Sequence, residues 1–258
     1  MSEPSLVRLE QVGKRFGGGP AILAGIDLRV ARGDFVSFVG PSGCGKSTLL
    51  RLIAGLIAPS EGAITVGGAA PREARDKMFF VFQDASLLPW RRTAANVELP
   101  LLLRGLPPAE RRRRVDRTLE LVGLSDAREK YPWQLSGGMK MRASIARALG
   151  MAPEILLLDE PFGSLDEMTR DRLNEDLLAI RARDPFTACF VTHSVAEALF
   201  LSNRIVVLAP HPGRVARVVD VPFPYPRPAE LREDPAFLRL LAEVSHELRA
   251  VAAKEGGP

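Results

Sequence analysis

Phe35-Val-Ser-Phe-Val-Gly40-Pro-Ser-Gly-Cys-Gly45-Lys-Ser-Thr48 is the stretch on which the reading of this chain turns. Residues 35–39 form a short β-type run without polar alternation, as expected of a strand buried on both faces. Glycines break the run, and a helix is expected from about residue 46 to residue 54. In that strand–turn–helix context Gly40, Gly45, Lys46 and Ser47 fit G-x-x-x-x-G-K-[ST]. Glycines let the backbone curl so that successive N–H groups point at one anion, and the positive end of the helix adds to the attraction. Pro41, Ser42, Gly43 and Cys44 complete the cradle. Lys46 is expected to reach the β- and γ-phosphates of a nucleotide, Ser47 to ligate Mg2+, and Thr48 to touch the α-phosphate.

Hydrolysis needs a second element, and Ile155-Leu-Leu-Leu-Asp-Glu-Pro161 supplies it. An apolar strand delivers two carboxylates at its C-terminal end, where ligands bind in open α/β sheets. Asp159 is expected to hold Mg2+ through water, and Glu160 to act as general base on the attacking water. Short apolar runs at residues 78–82, 188–192 and 205–208 read as further buried strands. Residues 6–12, 26–30 and 63–66 alternate and read as an antiparallel sheet. The fold class is α/β.

Between residues 89 and 152 no strand signal appears, and the block reads as a helical subdomain inserted into a domain spanning residues 1–219. Residues 109–122 are expected to be helical, with Pro107-Pro108 at the first turn, Gly123 as the stop, and Val115, Leu119 and Val122 buried. Arg111 to Arg114 point in all directions around one turn, which favours a solvated face over a nucleic-acid patch. Residues 220–258 read as a Pro-rich linker followed by a helix, about 229–253. Phe237, Leu241, Val244, Leu248 and Val251 form its stripe, which either packs on the chain's own body or meets a partner. Gly256-Gly257-Pro258 is expected to fray.

The 258 residues are 46% hydrophobic and 26% charged, which excludes wholesale disorder and leaves room for one large domain. Thirty-five basic against thirty-one acidic residues leave only +4, too diffuse to imply a nucleic-acid partner by itself. A membrane-spanning helix needs about 20 mostly apolar residues. The longest stretch free of charged side chains is twelve, residues 185–196, so no span is expected. Met1-Ser-Glu-Pro-Ser5 shows no basic segment leading into an apolar run, hence no secretory signal. The two cysteines, Cys44 and Cys189, offer neither a disulfide framework nor metal-ligand spacing, and a reducing compartment is the default.

Leu135-Ser-Gly-Gly-Met139, the helix that continues from it, Gln83 after a strand, Gly163-Ser-Leu-Asp166 and Thr192-His193 complete a set. With the two phosphate-site motifs, their order closely resembles the ATP-binding cassette ATPases over residues 6–219. The resemblance implies a RecA-like core sheet with an N-terminal antiparallel β-subdomain and the helical insertion. It also implies a head-to-tail homodimer holding two ATP, in which Ser136, Gly137 and Gly138 of one copy meet the γ-phosphate bound by the other. By resemblance Gln83 ligates Mg2+, His193 contacts the γ-phosphate, Phe16 stacks on adenine, and Asp166, among the nucleotide-site residues, arranges the dimer interface around Glu160. Met141 departs from the Gln of many relatives, which touches only fine tuning. A redox role for Cys44, as a thiol at a helix N-terminus, is disfavoured because cysteine is common there in the family.

A single cassette without a long heptad region resembles the detached ATPase subunit of a bacterial importer, most like the nitrate/sulfonate/taurine group. That implies a peripheral place on the cytoplasmic face of the inner membrane. The implied partners are membrane permease subunits docking near Leu87, Leu88 and Trp90 and, indirectly, a periplasmic or lipid-anchored solute-binding protein. A non-transport cassette working on nucleic acid and another class of P-loop protein are the competing readings. The missing coiled coil argues against the first and the signature segment against the second.

Overall fold

The computed structural model describes residues 5–253. The expectation for Gly256-Gly257-Pro258 lies outside the described residues. Strands β1 (Ser5–Arg15), β2 (Ala21–Ala31) and β4 (Glu61–Val66) make an antiparallel sheet in the order β2-β1-β4. Strands β3 (Phe35–Val39), β5 (Met78–Val81), β6 (Ile155–Asp159), β7 (Thr187–Val191), β8 (Arg204–Ala209) and β9 (Arg214–Asp220) form the second sheet, ordered β5-β6-β7-β3-β8-β9. It is parallel except for β9, which runs antiparallel to β8.

Strands β3, β6 and β7 are buried at every position. Alternate residues face two cores. Val36, Phe38, Leu157, Cys189 and Val206 pack toward the antiparallel sheet and helix α1 (Lys46–Ile53). Phe35, Leu156, Leu158, Phe190 and Val207 pack toward the remaining helices. Each enclosed Phe contributes on the order of 1.5–3 kcal/mol. Strand β5 was expected to be buried, yet it is an edge strand, and Phe79 and Phe80 are only half-buried.

Helices α2 (Thr93–Leu103), α3 (Pro108–Leu121) and α4 (Gly137–Leu149) fall between β5 and β6, with no strand among them. Val115, Leu119 and Val122 are buried. The arginines of α3 are less free than a solvated face implies. Arg111 Nε pairs with Glu98 at 2.7 Å, and Arg113 and Arg114 both pair with Glu110. Helices α5 (Glu167–Arg183) and α6 (Val195–Leu201) flank β7, and α7 (Pro235–Ala253) closes the chain. Phe237 and Val244 of α7 are buried in the main core, and Leu241 and Leu248 pack against it, so the stripe covers the chain's own body. The strand-free stretch before α7 is anchored by Arg227, 5% exposed, which donates to the carbonyls of Leu199, Phe200 and Ser202 at the end of α6. Among the described residues no helix is long and apolar enough to cross a membrane.

Candidate active site

Three neighbouring parallel strands, β6, β7 and β3, end at the same edge of the sheet. Asp159 of β6 is level with Val191 of β7, and Thr192 N–H donates to Phe38 O of β3 at 3.3 Å. The topology thereby brings the turn after Val39, the Asp159-Glu160 pair and Thr192-His193 together.

The turn after β3 is shaped by contacts that only glycine permits. A Cβ at Gly40 would lie 2.6 Å from Cys44 Sγ and 2.8 Å from Leu208 O. Gly45 caps α1 with φ +97°, and a Cβ there would lie 2.6 Å from Leu23 Cδ2. Lys46, 4% exposed, donates from Nζ to Gly40 O and Pro41 O at 2.9 Å each. Ser47 Oγ donates to Asp159 Oδ1 at 2.7 Å. A cleft of about 320 Å³ opens above the turn, lined by Phe16, Ile22, Ser42, Gly43, Gly45, Lys46, Ser47, Thr48, Glu160 and His193. Phe16 is half exposed at its mouth, with Lys14 Nζ 4.9 Å from the ring centroid.

Glu160 adopts φ +49°, a left-handed conformation that costs a non-glycine residue about 1–3 kcal/mol. Its N–H donates to Val191 O at 3.0 Å, and its carbonyl accepts the Gly163 N–H at 3.1 Å. This strained backbone aims the carboxylate into the cleft, where Oε1 lies 2.7 Å from His193 Nε2.

The remaining candidates gather elsewhere. Gln83 lines a second cleft of about 390 Å³ with Gly137, Lys140, Pro161, Ser164 and Leu165, not the cleft above Lys46. Ser136 caps α4, its Oγ accepting Met139 N–H at 3.3 Å; Ser136 and Gly137 are exposed and Gly138 is buried. A Cβ on Gly137 would meet Leu165 Cδ2 at 3.0 Å, so this turn packs closely on the segment before α5. Asp166 caps α5, accepting Thr169 N–H at 2.9 Å, and this bond lowers its carboxyl pKa. Its visible role is that cap, and no lining position in either cleft belongs to it. Cys44 is buried and lies beneath the turn, and burial pushes its thiol up, against a reactive thiolate. Met141 is buried in the main core.

Sequence reasoning passed over residues that hold these parts in place. Arg147 of α4 donates to Ala85 O and Ser86 O at 2.9 Å, tying that helix to the loop after Gln83. Burial of the Arg147 guanidinium lowers its pKa. Asn96, fully buried, accepts Leu88 N–H at 2.7 Å and donates to Leu88 O and Arg91 O, shaping the loop that carries Trp90. Leu87 and Leu88 are half-buried, while Trp90 is 70% exposed.

A glycine-built anion cradle at a helix start, facing a carboxylate-ended strand of one parallel sheet, makes this a P-loop nucleotide-binding protein. Comparison with known proteins narrows the class. A model of the ABC transporter family matches residues 23–163. The taurine import ATP-binding protein of Mesorhizobium japonicum is 43% identical over 94% of this chain and 96% of its own. The bicarbonate transport ATP-binding protein of a Synechocystis strain is 45% identical over 90% of this chain and 35% of its own. A solved ATP-binding cassette, described as a dimer in a post-hydrolysis state with ADP and Pi, superposes with a TM-score of 0.73 at 33% identity, covering 84% of this chain and 99% of that one. The chain belongs to the ABC transporter family and is one of its ATP-hydrolysing cassettes.

Proposed function

We propose that two copies of this chain drive uptake of a small organic or inorganic anion, closing head to tail over two ATP molecules at the cytoplasmic face of the inner membrane. Each nucleotide then lies on Lys46 and Thr48 of one copy with its adenine against Phe16, and meets Ser136, Gly137 and Gly138 of the other. The observation that carries this reading is the separation of the two anion-binding turns. Ser136 and Gly137 expose a helix N-terminus, and among the described residues no member of the Lys46 cradle lines the cleft beside it. A helix start of that kind favours an anion, so a phosphate from a second copy is the natural occupant.

The donor set suits Mg2+. Ser47 Oγ and Asp159 Oδ1 are hard oxygens already in contact, and Mg2+ takes few protein ligands, completing its shell with water and substrate phosphate. In the proposed set Gln83 joins them as the third ligand. When bound, the ion would neutralise charge on the β- and γ-phosphates. Glu160 takes the proton of the attacking water, and His193, at hydrogen-bonding distance from it, holds the carboxylate and contacts the γ-phosphate. Segment 89–152 acts as the inserted helical subdomain of the domain spanning residues 1–219, and 220–258 as its appended strap and helix. The exposed Trp90, with Leu87 and Leu88 beneath it, receives the permease. Cargo passes from a solute-binding protein through the permease and never touches this subunit, and no nucleic acid enters the cycle. The taurine and bicarbonate relatives support a small anion as cargo.

Affinity purification of the tagged chain from detergent-solubilised membranes, with phosphate release from ATP followed in the same preparation, tests the reading. An integral membrane protein in stoichiometric amount is expected. Recovery with DNA or RNA and no membrane protein contradicts it.

A further inference from the structure

Glu197 is a buried carboxyl group that the chemistry above does not use. It lies in the first turn of α6 and is 6% exposed, where a carboxylate is rarely found without partners. Ser194-Val-Ala-Glu197 has the spacing of a capping box, in which the Glu side chain would return to the Ser194 N–H. The structure uses it differently. Ser194 Oγ accepts Glu197 N–H at 3.3 Å, as in a capping box, but the Ser194 N–H donates to Thr192 Oγ1 at 3.0 Å. Thr192 in turn donates its hydroxyl to Glu197 Oε2. The ring of hydrogen bonds closes around the one residue between them, His193.

On its other side Glu197 faces α5. Burial raises its pKa, the Thr192 bond, Arg170 and Asn174 lower it, and Asp171 raises it. Arg170 Nη2 also donates to Leu165 O at 2.9 Å, in the segment just before Asp166. Glu197 Oε1, Asn174 Oδ1 and Arg170 Nε are all buried without a hydrogen-bond partner.

We propose that Glu197 is a positioning residue for His193: it holds, through the Thr192 hydroxyl, the turn that presents the imidazole to Glu160. The proposal rests on the assignment of His193 and Glu160 to the hydrolytic site. An acceptor for Thr192 is what this role requires, so Glu197→Gln preserves it, whereas Glu197→Leu and Thr192→Val remove it.

The chain has three histidines, so the His193 ring resonance can be followed by NMR in the whole protein with His211 and His246 as internal references. Glu197→Leu and Thr192→Val are expected to lower kcat about tenfold or more, since small misplacements of reacting groups are costly, with KM for ATP within about twofold. Both should shift the His193 resonance and leave the other two in place. Glu197→Gln should stay within about threefold of wild type, the acceptor being retained. An unmoved His193 resonance in the two disruptive variants, or a Leu variant as active as the Gln variant, overturns the proposal. If Glu197→Leu does not fold, the near-isosteric Thr192→Val carries the test. The underlying assignment fails separately: His193→Ala with undiminished turnover would remove His193 from the reaction whatever the resonances show.

Discussion

The chain carries two turns built to receive an anion at the start of a helix, and they differ in what surrounds them. The turn before α1 is enclosed. Lys46 is 4% exposed, Gly40 has no room for a Cβ, and Glu160 and His193 line the same cleft. The turn before α4 is open: Ser136 and Gly137 face outward, and neither Glu160 nor His193 lines the cleft beside it. One turn has Glu160 and His193 beside it, and the other has a helix start with neither. The proposed pairing of two copies would let each use the open turn of the other, and the contrast in burial and topology is what supports it.

Substitutions on the enclosed side should have the largest effects. Glu160→Gln is expected to lower kcat by about 100-fold or more, as loss of a general base does, while ATP binding measured with a fluorescent analogue persists. Turnover near wild type would detach the enclosed turn from the chemistry. On the open side, Gly137→Asp places a carboxylate where an anion is to sit. Turnover should fall by about 100-fold, comparable to losing one transition-state donor, with ATP affinity of the isolated chain within about twofold. Lost ATP affinity would mean that the two turns are not separate. Trp90→Ala reaches the open face through the loop that Arg147 and Asn96 hold. Loss of a central aromatic anchor costs about 2 kcal/mol, or roughly 30-fold in assembly with the membrane partner, and leaves ATP hydrolysis by the chain alone unchanged. Pull-down from solubilised membranes against a detergent-free ATPase assay reads both halves.

The smallest effect is one of pH, on the enclosed side. The Glu197 pKa is raised in the folded state, chiefly by burial, so the native state holds that proton more tightly than the unfolded chain. The group therefore stabilises less as pH rises from the ordinary carboxylate range through its folded value. Glu197→Gln removes that dependence. Its Tm relative to wild type should be higher at neutral pH than near pH 4, and a difference that widens on acidification would contradict the sign.

Much of the enclosed turn was legible in the sequence because its chemistry is local. Gly40 to Thr48 are contiguous, and β3, β6, β7 and β8 announce themselves as mostly apolar runs without polar alternation. Strand β9 was not anticipated, since Arg214–Asp220 intersperses charged residues on an exposed edge. Strand β5 was read as buried because its apolar run cannot reveal that one side of it lacks a neighbour. The open turn was legible as a motif but not in its support. Arg147 reaches Ser86 across 61 positions of sequence, a contact that no local pattern encodes. That Gln83 lines the open cleft and that Asp166 caps α5 are placements that only the fold reveals. Glu197 carries a visible capping-box spacing whose actual use depends on Thr192, which only the strand end brings within reach.

The claim that the two turns complete each other across two copies is tested most directly by the mass of Glu160→Gln in solution with and without Mg-ATP, measured by light scattering after size exclusion. The account predicts a shift with nucleotide from the 28.1 kDa chain to twice that mass, abolished by adding Gly137→Asp. A nucleotide-loaded protein that stays at the single-chain mass would contradict it.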